Sequence, residues 1–122
     1  KKLDIIPVEV VLRNVVAGSL TKRLGIEEGT VLPNPILEFF YKSDPFGDPM
    51  INECHIETFG WATKQEMKTL TSQGLKINSL LIEFFKARNI RLVDFKLEFG
   101  RHKGVVLLGD EISPDGDRKS VV

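Results

Sequence analysis

Lys96, Glu98 and Asp110 are the residues of this chain whose types and spacing could do chemistry. They lie between Ile90 and Asp110, in IRLVDFKLEFG, the loop RHKG and VVLLGD. Val93, Phe95, Leu97 and Phe99 alternate with Asp94, Lys96 and Glu98, which predicts a strand with one apolar face. The second apolar run follows a loop with glycine at both ends, so a β-hairpin is expected. That run stops at Gly109-Asp110-Glu111, delivering a carboxylate at its exit. An even pairing register puts Asp110 on the face of Lys96 and Glu98, and an odd register puts it on the other. Two carboxylates and a lysine near a hairpin's open end suit a divalent cation with a nucleotide phosphate. An ordinary solvated sheet face is the other reading these residues allow.

A second candidate site lies near the start. Val8-Glu9-Val10-Val11-Leu12-Arg13 is β-rich and mostly apolar, an expected interior strand with Pro7 at its entry. Ser19 is read as the N-cap and Gly25 as the C′ stop of a helix of little more than one turn. Gly18 lets a ligand approach the backbone, and the free N–H groups of the first turn attract an anion. Arg13 can add a bidentate fork from the preceding strand. Connecting structure without a ligand is the alternative. Arg118, in the turn-rich tail, is either a surface arginine or a second anion ligand.

The elements that must position these residues follow from pattern. Gly29 and Pro33-Asn34-Pro35 predict a turn, and Ile36 to Tyr41 a second strand ending at Lys42. Asp44-Pro45-Phe46-Gly47-Asp48-Pro49 is a turn cluster. Asn52, Glu53, His55 and Glu57 read as loop and surface, because His55 lacks a second histidine or thiolate at ligand spacing. Cys54 is expected as a small buried residue. Thr63-Lys64-Gln65-Glu66 is a capping box, followed by Met67, Leu70, Gly74, Ile77, Leu81 and Phe84 at helical steps. This predicts a long amphipathic helix ending near Ala87 or Arg88, with Asn89 at C′. The fold class is therefore α+β, an antiparallel-rich sheet with one long amphipathic helix.

With 122 residues the chain suits one domain, and 17 basic residues against 17 acidic ones give no global field for nucleic acid or an anionic membrane. A single cysteine excludes an internal disulfide. Without a membrane-length apolar run or a signal-peptide pattern, a soluble cytoplasmic protein is expected. The chain opens on Lys1-Lys2-Leu3 without methionine and ends at Ser120-Val121-Val122 without a closing helix, as a fragment would.

VEVVLRNVVAGSLTKRLGIEEGT, DPMINE, LVDFKLEFG and LGDEISPDGDR, in this order and at this spacing, resemble the SAICAR synthetase family. The resemblance runs up to Arg118, after which the family continues Leu-Trp-Asp and this chain Lys119-Ser120-Val121. It implies an ATP-dependent ligase of purine biosynthesis. Such a ligase joins carboxyaminoimidazole ribonucleotide (CAIR) to L-aspartate through an acyl phosphate, with ATP and magnesium. It implies the central part of the larger lobe of a two-lobed fold, lacking the N-terminal lobe and the closing helices. Residues 1–7 would be the interlobe connection and 8–122 the incomplete ATP- and ribonucleotide-binding lobe.

The same resemblance puts Arg13, Ser19 and Arg118 around the ribonucleotide phosphate and makes Glu98 and Asp110 magnesium ligands. Lys96 would lie between ATP phosphate and substrate carboxylate, and Lys42 on the nucleotide side. The backbone from Lys2 to Ile5 would meet the adenine, and Asp48 would sit beside the cleft. The full-length protein would be a homo-oligomer, and this segment alone inactive. A kinase-like phosphotransferase or a non-catalytic nucleotide-binding remnant are the competing functions.

Overall fold

The computed structural model describes residues 4–42, 44–113 and 119–121. The alternation of apolar and polar residues in the first strand builds the centre of the fold. This strand, β1 (Asp4–Val15), pairs antiparallel on one side with β2 (Val31–Tyr41) and on the other with β5 (Asp94–His102). The two-residue β3 (Met50–Ile51) and β6 (Val105–Ser113) close the edges, giving the order β3-β2-β1-β5-β6. A separate ladder joins β4 (Ile90–Leu92) to β7 (Lys119–Val121). Every pairing is antiparallel. One sheet face carries Val8, Val10, Leu12, Phe39, Phe95, Leu97 and Phe99, all buried in the main core.

α3 (Lys64–Lys86) covers that face. It starts as the sequence predicts: Thr63 Oγ1 accepts from Glu66 N–H at 3.1 Å, and Glu66 Oε1 accepts from Thr63 N–H at 2.9 Å. Met67, Leu70 and Gly74 are buried and Ile77 and Leu81 pack on the core as expected, with Asn78 buried beside them; at the far end Phe84 is exposed while Phe85 packs on the core. About five turns of roughly 3.6 residues from Met67 end on Phe85, so the expected stripe had drifted by one position. The Phe84 ring instead carries the Arg88 guanidinium 3.7 Å from its centroid. Asn89 adopts a left-handed φ of 59° just past the C-cap Ala87.

Both strands of the first hairpin run further than expected, because irregular pairing absorbs their prolines. Pro7 lies inside β1, where the register against β5 shifts between Ile5 and Glu9, so its missing N–H interrupts no regular ladder. Its carbonyl accepts from Lys42 N–H at 3.0 Å. Pro33-Asn34-Pro35 belong to β2 rather than to a turn. They fall where pairing jumps from Arg13↔Ile36 to Val15↔Val31, in excess chain that needs no partner.

A helix stands where loop was expected: α2 (Glu53–Thr58). Asn52 Oδ1 accepts from His55 N–H at 3.1 Å, and Asn52 N–H donates to His55 Nδ1 at 3.0 Å. Ile56 takes the buried position and Cys54 is exposed, contrary to expectation. The second hairpin turns on Lys103-Gly104 alone, with φ of 52° and 78°, a two-residue turn of the type that matches strand twist.

Arg101 ties this hairpin to α3. Its guanidinium reaches Glu66 at 2.5 and 3.1 Å and donates to the Trp61 carbonyl at 2.8 Å. That guanidinium holds the Glu66 carboxyl below the ordinary carboxylate range. A depressed folded-state pKa stabilises the fold above the unfolded value and ceases to do so as pH falls through the lowered one. Glu66→Gln should therefore lower the urea midpoint near neutrality, with the difference shrinking below roughly pH 4.

Two glycines make a sharper comparison. A Cβ on Gly109 would stand 2.9 Å from the Glu98 carbonyl oxygen, whereas on Gly74 it would meet Leu12 Cδ1 at 3.5 Å, an ordinary contact. Gly109→Ala is expected to destabilise by about 1–3 kcal/mol. Gly74→Ala is expected to be neutral or to stabilise by up to about 1 kcal/mol, since alanine favours the helix. Thermal unfolding of the two variants measures both signs.

Candidate active site on the charged face of the sheet

Side chains alternate, so the residues between the core positions must share the opposite face. Register confirms it: Glu9 opposes Glu98, Val11 opposes Lys96, and Arg13 opposes Asp94. From β2, Phe40, Glu38 and Ile36 oppose Glu9, Val11 and Arg13. Val11, Val16 and Leu20 are buried yet lie outside the main core cluster. α1 (Ser19–Leu24) contributes Leu20 to this second apolar patch.

The charges on this face fall into two linked groups. In the first, Lys42 Nζ donates to Glu98 Oε1 at 2.7 Å, and Lys96 Nζ lies 3.4 Å from Glu9 Oε1. The hydrogen bond to Glu98 raises the Lys42 ammonium above its ordinary range, against a smaller opposing effect of burial, with help from Glu9 and Asp48. Asp48 sits in the turn at a left-handed φ of 50°. In the second group, Arg13 Nε donates to Glu38 Oε1 at 2.6 Å and Arg13 NH1 to Asp94 Oδ2 at 3.3 Å. Arg23, from α1, donates to the other Glu38 oxygen at 2.6 Å.

Exposure gives this face its polarity. The Lys42 and Lys96 side chains are 42% and 43% exposed, whereas Glu9, Glu38 and Asp94 are 12%, 10% and 9%. Positive heads stand over buried carboxylates, and an arriving anion meets the cations first. Glu98, at 35%, is the accessible carboxylate of the four.

The expected site residues are therefore brought together in part. Lys42, Lys96 and Glu98 converge, joined by Glu9, which was not singled out although a charge amid Val8, Val10 and Val11 was the available signal. Arg13 lies on the same face, further along β1, between two carboxylates; Glu38 and Arg23 had gone unnoticed, and Asp94 had been read only as part of the strand's alternation. Ser19 is the first residue of α1, not its N-cap. Gly18 takes that position at φ 50°, and no side-chain hydrogen bond caps the helix. Gly25 is the left-handed C-cap, its N–H donating to the Thr21 carbonyl at 2.9 Å. Ile5 is half-exposed and opposes Gly100.

Of the two registers weighed for Asp110, the odd one is observed. Pairing is odd on both sides, Phe99↔Leu108 and Leu97↔Ile112, and shifts between them. Asp110 lies in that irregular stretch, and its side chain is not among those described, nor is that of Ser19. Arg118 lies outside the described residues.

Among the described residues no three His, Cys, Asp or Glu side chains gather as a metal cluster. A magnesium ion carrying nucleotide phosphates needs only one or two carboxylates. Glu98 fits that need, being accessible and already in contact with a cationic group.

The structure is an antiparallel α+β lobe with lysines and a carboxylate together on one sheet face. Residues 1–119 match the SAICAR synthetase family. The phosphoribosylaminoimidazole-succinocarboxamide synthase of Cellvibrio japonicus is 58% identical over 118 residues, covering 97% of this chain and 50% of that protein. The crystal structure of the synthase from Ehrlichia chaffeensis superposes with a TM-score of 0.89 at 50% identity, over 94% of this chain and 50% of that one. A SAICAR synthetase in complex with ADP superposes at 0.88 with 52% identity, over 93% and 49%. The chain belongs to the SAICAR synthetase family, and it spans about half the length of the curated relatives it matches. No helix among the described residues is long and apolar enough to cross a membrane.

The Arg13 network makes a stability prediction. Glu38→Ala leaves the buried Arg13 guanidinium with Asp94 and should cost about 2–4 kcal/mol, as loss of one partner of a buried ion pair does. Arg23→Ala removes the half-exposed end of the same chain of charges and should cost under about 1 kcal/mol. Urea denaturation of the two variants tests the difference.

Proposed function

We propose that this chain is the core of the larger lobe of an ATP-dependent ligase that joins CAIR to L-aspartate, giving SAICAR, ADP and phosphate. Residues 1–7 form the interlobe connection, with the backbone near Ile5 meeting the adenine, and residues 8–122 form the nucleotide- and ribonucleotide-binding lobe. Family membership supports this reading, as does the relative solved with ADP. The observation that carries it is the convergence of Lys42, Lys96 and Glu98 on one accessible sheet face.

The chemical difficulty is that a carboxylate repels nucleophiles. Phosphorylation by ATP to an acyl phosphate makes it an electrophile for the aspartate amine. The step needs alignment and charge neutralisation more than covalent help from the protein. Magnesium, when bound, supplies Lewis-acid neutralisation of the phosphates, and Glu98 and Asp110 would hold it. Lys96 neutralises charge between the transferred phosphate and the substrate carboxylate, and Lys42 steadies the nucleotide.

Arg13, Ser19 and Arg118 take the ribonucleotide phosphate, so remote binding energy orients the ring. Glu38 and Asp94 fix the plane of the Arg13 guanidinium. That favours a directional, bidentate contact over simple charge attraction. No side chain caps α1, although the Leu20 N–H donates to the Ala17 carbonyl at 3.2 Å. The half-length match supports a further statement: the chain alone binds ligands without turning over. Aspartate-dependent ADP release by the 122-residue chain at enzymic rates would overturn that statement.

Product analysis with and without aspartate separates the ligase from a phosphotransferase. In a chain joined to the N-terminal lobe of a relative, Glu98→Gln should abolish turnover with thermal unfolding unchanged. Arg13→Ala should weaken the ribonucleotide by roughly 2–5 kcal/mol, leaving ATP affinity nearly unmoved. An equally large loss for the dephosphorylated riboside would mean that Arg13 holds the shape of the loop and not the phosphate.

A further inference from the structure

Glu98 and Glu9 oppose each other directly across β1 and β5, a like-charge pairing that a sheet tolerates only when neutralised. Lys96 meets Glu9 at 3.4 Å and Lys42 meets Glu98 at 2.7 Å, so the four charges cancel in pairs. Lys42 is thereby in direct contact with the carboxylate assigned above to magnesium. Both members are accessible, and Lys42 follows β2 directly, so its flexible stem can leave Glu98 without disturbing the sheet.

We propose that Lys42 is a displaceable stand-in for the metal: it occupies Glu98 in the empty protein and moves to nucleotide phosphate on loading, freeing Glu98 for the cation. The inference rests on the assignment of Glu98 to the metal and Lys42 to the nucleotide. It adds a coupling between them. With Lys42 on Glu98, the quartet is neutral and a divalent cation gains little there. Once phosphate takes Lys42, the quartet carries a net negative charge and the cation is favoured. Metal and nucleotide then strengthen each other's binding reciprocally, through one side chain.

The probe is Mn2+, titrated without nucleotide at low ionic strength and read by its electron paramagnetic resonance signal. Lys42→Met should bind Mn2+ about three- to tenfold tighter than wild type, the effect of removing one like charge from within about 4 Å of an accessible ion site. Lys42→Arg keeps the competing cation and should stay near wild type. Lys76→Met, on the exposed side of α3, removes the same charge elsewhere and should change nothing.

ADP binding, measured separately, should weaken in Lys42→Met, a sign opposite to that for Mn2+ which general loosening of the site would not produce. Equal or weaker Mn2+ binding by Lys42→Met overturns the exchange. Glu98→Gln should lose Mn2+ binding in the wild-type and Lys42→Met backgrounds alike. Retention of Mn2+ in both would overturn the metal assignment itself, and the exchange with it.

Discussion

The register of β1 against β5 is the constraint on which the rest of the structure depends. It sets Val10 against Leu97 on one face and Glu9 against Glu98 on the other. A slip of β5 by one residue would drive Asp94, Lys96 and Glu98 into the apolar core and turn Phe95, Leu97 and Phe99 outward. Burying several unpaired charges costs far more than the fold's net stability, so the two faces enforce each other. Core and site are consequences of one pairing. That is why a charged face can be held in place without loops of its own.

What fixes the register is distributed along the strands. Gly109 admits the close approach of the Glu98 carbonyl where β6 shifts, and Arg101 joins β5 to the capping box of α3. At the far end of β1, Asn14 and Asn78 exchange amide hydrogen bonds at 2.8 and 2.9 Å. A fully satisfied amide pair in an otherwise apolar helix face allows one alignment of α3 on the sheet, whereas leucine would permit several. Its neighbour in sequence is Arg13, so the same pair also fixes the end of the strand that carries this arginine.

Much of this was legible in the sequence because it rests on period alone. The alternation in β5, the capping box at Thr63 and the left-handed Gly25 are local signals, and each appears where read. The misses have non-local causes. Pro33 and Pro35 argue against a strand until the register jump at Arg13 removes the need for their N–H groups. The one-residue drift from Phe85 to Phe84 accumulates only over a long helix, where the fractional period matters. Asn52 and His55 cap a helix too short for its apolar stripe to announce it. In the site, Lys96 and Glu98 stood out because their strand alternates cleanly. Glu9, Glu38 and Asp94 did not, because a carboxylate's role depends on which cation the sheet sets beside it.

Charge balance explains how such a face can exist before any ligand arrives. Glu9, Glu38, Asp94 and Glu98 are matched by Arg13, Arg23, Lys42 and Lys96 in direct contacts. A neutral face contributes no long-range attraction, in keeping with a chain of zero formal net charge. What such a face presents to solvent is set by depth. Three carboxylates lie beneath the surface while the lysine heads remain in water, so the outermost charges are positive although the count is balanced. Such layering has a physical advantage over a bare cluster of lysines. The buried carboxylates remove mutual repulsion among the cations and restrain those they contact. The ion pairs stabilise the fold, and the accessible Lys42–Glu98 pair is the one whose exchange costs least.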